Sequence, residues 1–157
     1  MSERSGKFIR KILVLEGGSK ITNDPSDSGG QTKYGISKKA FPNVNVINLT
    51  EQQAIDIYKN NFYNVCMIDS INDELLALHV FDFAVNAGIG RSVKTLQKIV
   101  GSAQDGVIGA KTLSMVNSGN FSTEFIQARI NFYKSIGVGK NAKFLKGWLN
   151  RVNNLKV

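Results

Sequence analysis

Apolar residues recur at helical spacing along most of this chain. Near the N-terminus Ile9, Ile12 and Leu13 follow Phe8 at intervals of three and four, and Glu16 is the next member of that row. The pattern predicts a helix whose core-facing side ends on a carboxylate, stopped by Gly17 and Gly18. A helix C-terminus disfavours an acid by about 0.3–1 kcal/mol. Glu16 therefore calls for a reason other than helix stability.

Residues 17–35 have turn chemistry throughout, with "NDP", "SDSGG" and "KYG" as punctuation. They predict a polar loop, or a small β-hairpin pairing residues 21–22 with residues 32–34. Loops of this length in compact domains usually carry function. Residues 36–41 read as a short helix halted before Pro42. In "TEQQAIDIYKNNFY" Thr50 and Gln53 form a capping box, and Ile55, Tyr58 and Phe62 share one side.

The segment "ELLALHVFDFAVNAG", capped by Asn72 or Asp73 and ended by Gly88, is apolar nearly all round and predicts a central buried helix. His79, Asp82 and Asn86 interrupt it at i, i+3 and i+7, a single polar stripe. Further helices are predicted in "RSVKTLQKIVG", in "AKTLSMVN" after a turn at Asp105 and Gly106, and in "TEFIQARINFYKSIG" and "AKFLKGWLNRVNNL". With no long linker and no internal repeat, the expectation is a mainly α helical bundle with one small polar loop or β-hairpin region near the N-terminus.

Composition narrows the chemistry. The 157 residues are 42% hydrophobic, which suits an ordinary folded domain and excludes disorder. Net charge is +8 and the pI about 9.7, so the surface should attract polyanions: nucleic acid, anionic lipid or an acidic wall polymer. Lysines and arginines are dispersed with no run of five, which favours a generally basic surface over a dedicated nucleic-acid stripe. The apolar run "ILVL" is too short for a signal-peptide core, so the expectation is synthesis in the cytoplasm without a standard export signal. The lone Cys66 cannot form an internal disulfide.

One histidine and one cysteine leave little room for a zinc hydrolase, and no metal site is expected. A Cys66–His79 nucleophilic pair lacks an oxyanion-loop signature, and "GxSxG" is absent. Carboxylates remain. The buried side of a helix and the negative end of its dipole both penalise a bare charge on Glu16, the setting of a general acid. A glycosidase uses such an acid on the leaving oxygen and a second polar group on the other face of the sugar. Asp24 and Asp27 are candidates for that second role, and Thr32 and Tyr34 for placing water or sugar. The alternatives are a solvated Glu16 at a frayed helix end with Asx-turn acids beside it, and a stripe of His79, Asp82 and Asn86 that is either a structural seam against the loop or a substrate-facing row.

The stretches "ILVLEGGSKITNDPSDSGGQTKYGIS", "LTEQQAIDIYKNNFY", "VFDFAVNAGIGRSVKTLQK" and "DGVIGAKTL" resemble, in the same order, the successive motifs of glycoside hydrolase family 108. These are lysozyme-like N-acetylmuramidases of phage endolysins and related bacterial proteins. The resemblance implies a lysozyme-like fold and Glu16 as the catalytic acid. It further implies hydrolysis of the β-1,4 bond between N-acetylmuramic acid and N-acetylglucosamine in peptidoglycan, without a cofactor. Residues 1–89 would be the catalytic region. Residues 90–157 would be a peptidoglycan-binding-like region packed with it as one compact domain, where Asp105, Gly106, Gly109 and Thr112 fit a D-G-x-x-G-x-x-T pattern. That pattern serves equally as a turn and helix start or as a sugar contact.

The expected endolysin-type muramidase is a monomer that acts on peptidoglycan in the periplasm or wall after release. Asp24 or Asp27 and Thr32 assist Glu16, and Tyr34, His79, Asp82 and Asn86 line or brace the cleft. The basic C-terminal helix, with Lys143, Lys146, Arg151 and Lys156, is a candidate for contact with anionic membrane, and no specific nucleic acid is expected. A lytic transglycosylase acting on the same bond and a non-catalytic peptidoglycan-binding module are the alternatives.

Overall fold

The computed structural model describes residues 1–23 and 30–157. Seven α-helices and one two-stranded hairpin make it mainly α among these residues. The chain forms two compact units, residues 1–61 and 62–157.

In the first unit, α1 (Glu3–Leu15) starts earlier than its apolar row, because Ser2 caps it by accepting the Ser5 N–H at 3.1 Å. Phe8, Ile9, Ile12 and Leu13 are buried, as their spacing predicts. The strands β1 (Thr32–Lys33) and β2 (Ile36–Ser37) form an antiparallel hairpin in the register Thr32 to Ser37 and Lys33 to Ile36. The pairing expected between residues 21–22 and 32–34 is reduced to one bridge, Thr22 with Thr32, which exchange hydrogen bonds of 2.9 and 2.8 Å. Nor is there a helix over residues 36–41. Ile36 and Ser37 continue the hairpin, and a single turn follows in which the Phe41 N–H reaches the Ser37 carbonyl at 3.0 Å. A two-residue turn allowed β1 to recruit this segment, and strand pairing there outcompetes a helix too short to stabilise itself.

Helix α2 (Glu51–Tyr58) has the capping box in full, with Gln53 N–H on Thr50 Oγ1 at 3.2 Å and Thr50 N–H on Gln53 Oε1 at 2.9 Å. It packs on α1 and buries Ala54, Ile55 and Tyr58. A single π-helical turn follows over Lys59–Tyr63.

The second unit is built round α3 (Glu74–Ala87), capped by Asp73, whose carboxylate accepts the Leu76 N–H at 3.0 Å. Its apolar residues from Leu76 to Ala84 are inaccessible to solvent, and each large one contributes about 1.5–3 kcal/mol of burial. Helices α4 (Ile89–Val100) and α6 (Ser122–Ile136) pack against α3. Phe83 stands edge-on to Phe125, Phe132 and Tyr133 at centroid distances of 6.0, 5.5 and 5.7 Å. The unit is completed by α5 (Ala110–Val116) on α4 and α7 (Ala142–Asn154) on α6. No helix among the described residues is long and apolar enough to cross a membrane.

Candidate active site

The end of α1 is a Schellman motif. Gly17, with φ of 92°, donates to the Val14 carbonyl at 3.1 Å, and Gly18 donates to the Leu13 carbonyl at 2.9 Å. Glu16 is the last residue before this reversal and is half-buried. The motif satisfies the helix carbonyls with backbone groups, so the glutamate is not required as a cap. It also ends the helix sharply enough to place Glu16 at a fixed edge.

The hairpin turn folds against that edge. Tyr34 and Gly35, its two central residues, both have positive φ, 53° and 77°, the type I′ pattern of a tight hairpin. The Tyr34 N–H donates to the Gly18 carbonyl at 3.0 Å, and the buried Tyr58 hydroxyl donates to the Tyr34 carbonyl at 2.6 Å. These bonds press Gly35 onto the stem of Glu16. A Cβ added at Gly35 would stand 2.7 Å from Glu16 Cβ and 2.9 Å from its Cγ, and would also strike the Tyr58 hydroxyl. Glycine is required there by backbone conformation and by space together.

Thr32 lies in β1, half-buried, its backbone held by the bridge to Thr22 and its hydroxyl 3.4 Å from the Gly30 carbonyl. Tyr34 is half-buried beside Glu16's turn, with Lys33 Nζ 5.7 Å from its ring centre. Asp24 and Asp27 lie outside the described residues. Two members of the site escaped the sequence reading. Gly35 was visible only as turn punctuation, and Tyr58 only as one of an apolar row.

His79, Asp82 and Asn86 form a network in the second unit. Asp82, fully buried, accepts from Arg129 Nη2 at 2.5 Å and from Arg151 Nη2 at 2.7 Å. Arg129, also fully buried, approaches His79 Nδ1 at 3.3 Å and donates to the Tyr133 hydroxyl at 3.1 Å, and that hydroxyl donates to Asn86 Oδ1. Burial alone would raise Asp82, but the Arg129 charge and the Arg151 hydrogen bonds and charge outweigh it and hold the carboxyl below its usual range. Burial and the Arg129 charge push His79 down to about 4, against Asp82 and a backbone bond at Leu155. The partners are therefore α6 and α7, where a seam against the loop was one of the two expectations. Arg129 interrupts the buried row Phe125, Arg129, Tyr133 of α6, and that charge on an apolar face was the available signal. Because Arg151 turns inward, the outer basic face of α7 is carried by Lys143 and Lys146.

The D-G-x-x-G-x-x-T segment is organised by Gln97, a residue the sequence reading passed over. The buried Gln97 amide donates to Asp105 Oδ1 at 2.8 Å and to the Val107 carbonyl at 2.9 Å, and lies 3.3 Å from Thr112 Oγ1. Its oxygen accepts the Gly106 N–H at 3.0 Å. The exposed Asp105 carboxyl is held below its usual range by the Val107 N–H and the Gln97 amide. Burial pushes the Cys66 thiol up to about 12, which leaves it protonated and a poor nucleophile at neutral pH.

Among the described residues the site thus brings together the Glu16 carboxyl at the end of α1 and the polar hairpin turn of Tyr34 and Gly35. The family model described as Glycosyl hydrolase 108 matches residues 9–88, and the one described as Predicted Peptidoglycan domain matches residues 91–153. The chain belongs to the glycosyl hydrolase 108 family. It is similar to the solved "Structure of Brucella abortus SagA", at 35% identity and a TM-score of 0.80, over 95% of this chain and 89% of that one. No curated protein matches. The fold is thus the lysozyme-like, mainly α one that the resemblance implied. The two family models meet between residues 88 and 91, whereas the compact units divide after Asn61, so α3 falls in the glycosidase match but folds with the second unit.

Proposed function

We propose that this protein is an N-acetylmuramidase that hydrolyses the β-1,4 bond between N-acetylmuramic acid and N-acetylglucosamine, with Glu16 as the general acid. Family membership supplies the reaction class, and the observation that carries the residue assignment is the contact of Gly35 with the Glu16 stem. An acid must hold one geometry while the glycosidic bond breaks, and the close approach of the Gly35 backbone restricts the Cβ–Cγ stem from which the Glu16 carboxyl departs. Glu16 protonates the leaving O4 of N-acetylglucosamine as the bond to the muramic anomeric carbon opens, and water then adds to that carbon. Asp24 or Asp27, with Thr32, assists from the loop side, and Tyr34 contributes to sugar binding.

The test is product analysis on purified peptidoglycan with wild type and Glu16→Gln, both checked for folding by circular dichroism. Wild type should release fragments with reducing N-acetylmuramic acid ends, and Glu16→Gln should be slower by about 10²–10⁴-fold. Fragments one water lighter would assign a transglycosylase instead, and no release by folded wild type would leave a binding module.

A further inference from the structure

The second unit carries an open groove of about 1060 Å³ with α4 on one side and α6 on the other. Its α4 wall carries Arg91, Lys94 and Lys98, at i, i+3 and i+7 and therefore on one face. All three are exposed, and no acidic residue is among the groove's lining. From the α6 wall Phe132 offers its ring to Arg91, whose guanidinium carbon lies 4.7 Å from the ring centre. Asn131, also on α6, gives the groove an amide.

We propose that this groove binds the stem peptides of peptidoglycan through their carboxylates. The proposal rests on the reading of the protein as peptidoglycan-acting and gives its second unit a defined ligand chemistry. At about 1.5 Å rise per residue the three cations span roughly 10 Å of α4. An extended peptide advances about 3.3–3.6 Å per residue, so about three residues of a stem peptide cover the same span and present more than one carboxylate to this face. The concave wall, the amide and the aromatic stem suit a peptide, whereas a flat lipid surface would meet only the rim. Of the chain's net +8, this groove concentrates three cations without a compensating acid.

The experiment is calorimetric titration of the full chain with a soluble L-Ala-γ-D-Glu-diaminopimelate-D-Ala peptide and with the same peptide amidated at its carboxylates. Wild type should bind the acidic peptide at least about tenfold more tightly than the amidated one, and should lose affinity as salt is raised. Lys94→Glu/Lys98→Glu should lose about tenfold or more, and the milder Lys94→Ala/Lys98→Ala, which guards against misfolding, should lose part of it. No binding by wild type, equal affinity for both peptides, unchanged affinity in both folded variants, or tighter binding of inorganic phosphate or a short DNA duplex would each overturn the proposal. Failure of the muramidase reading is separate: it shows as absence of cleavage by wild type, whatever the peptide titration gives.

Discussion

Gly35 is where residue-level chemistry decides most. Its φ of 77° and its contact with Glu16 mean that alanine there introduces both backbone strain and a clash with the acid's stem. Gly35→Ala should therefore lose about 1–3 kcal/mol of stability and at least tenfold in rate, read from urea midpoints and muropeptide release. Tyr58→Phe should be milder, about 1 kcal/mol, because it removes the hydroxyl's bond to the Tyr34 carbonyl and leaves the buried ring in place. Glu16 itself was legible as an anomaly, an acid on a buried row at the wrong end of a helix dipole. Its neighbours were not, because a contact between a turn glycine and a side chain from a preceding helix leaves no periodic trace.

At the scale of elements, boundaries written in local chemistry were readable and weak pairing preferences were not. The capping box on α2, the cap of α3 at Asn72 or Asp73, which the structure assigns to Asp73, and the glycine stop of α1 each depend on residues within a few positions of one another. Gly17→Ala tests the last of these. Among the described residues nothing lies within 4 Å of an added Cβ, so the expected loss is the left-handed backbone strain, about 1 kcal/mol by thermal melting. Its catalytic loss should be smaller than that of Gly35→Ala, since no atom would be driven into Glu16. Residues 36–41 show the opposite case, where a helix-like pattern yields to a hairpin selected by Tyr34 and Gly35.

At the scale of the whole molecule, the buried charges set the response to pH. His79 has a folded value of about 4 against an ordinary 6.5, so between those values the unfolded chain takes up a proton that the native chain does not. Stability from this group is complete above pH 6.5 and is lost as pH falls toward 4, by at most about 3 kcal/mol. Asp82 is also lowered, so its contribution is present above its ordinary value of 3.8 and disappears on further acidification. Urea titrations from pH 7 to 4 should show the first slope, and His79→Gln should flatten it. Asp82→Asn should destabilise by about 3–5 kcal/mol at neutral pH, because Arg129 would remain buried without its counter-charge.

The sequence alone determined the helical class, the capping box of α2, the glycine stop of α1, the core rows and the singular position of Glu16, since periodicity and caps are short-range properties of the chain. Its likeness to family 108 added the reaction class. The tertiary structure alone decided what holds each polar residue: Arg129 and Arg151 reach Asp82 across 47 and 69 positions, and Tyr58 reaches the Tyr34 carbonyl across 24. Such pairings follow from which helix faces meet when apolar surface is buried, and a buried charge must then find a partner wherever packing has brought one.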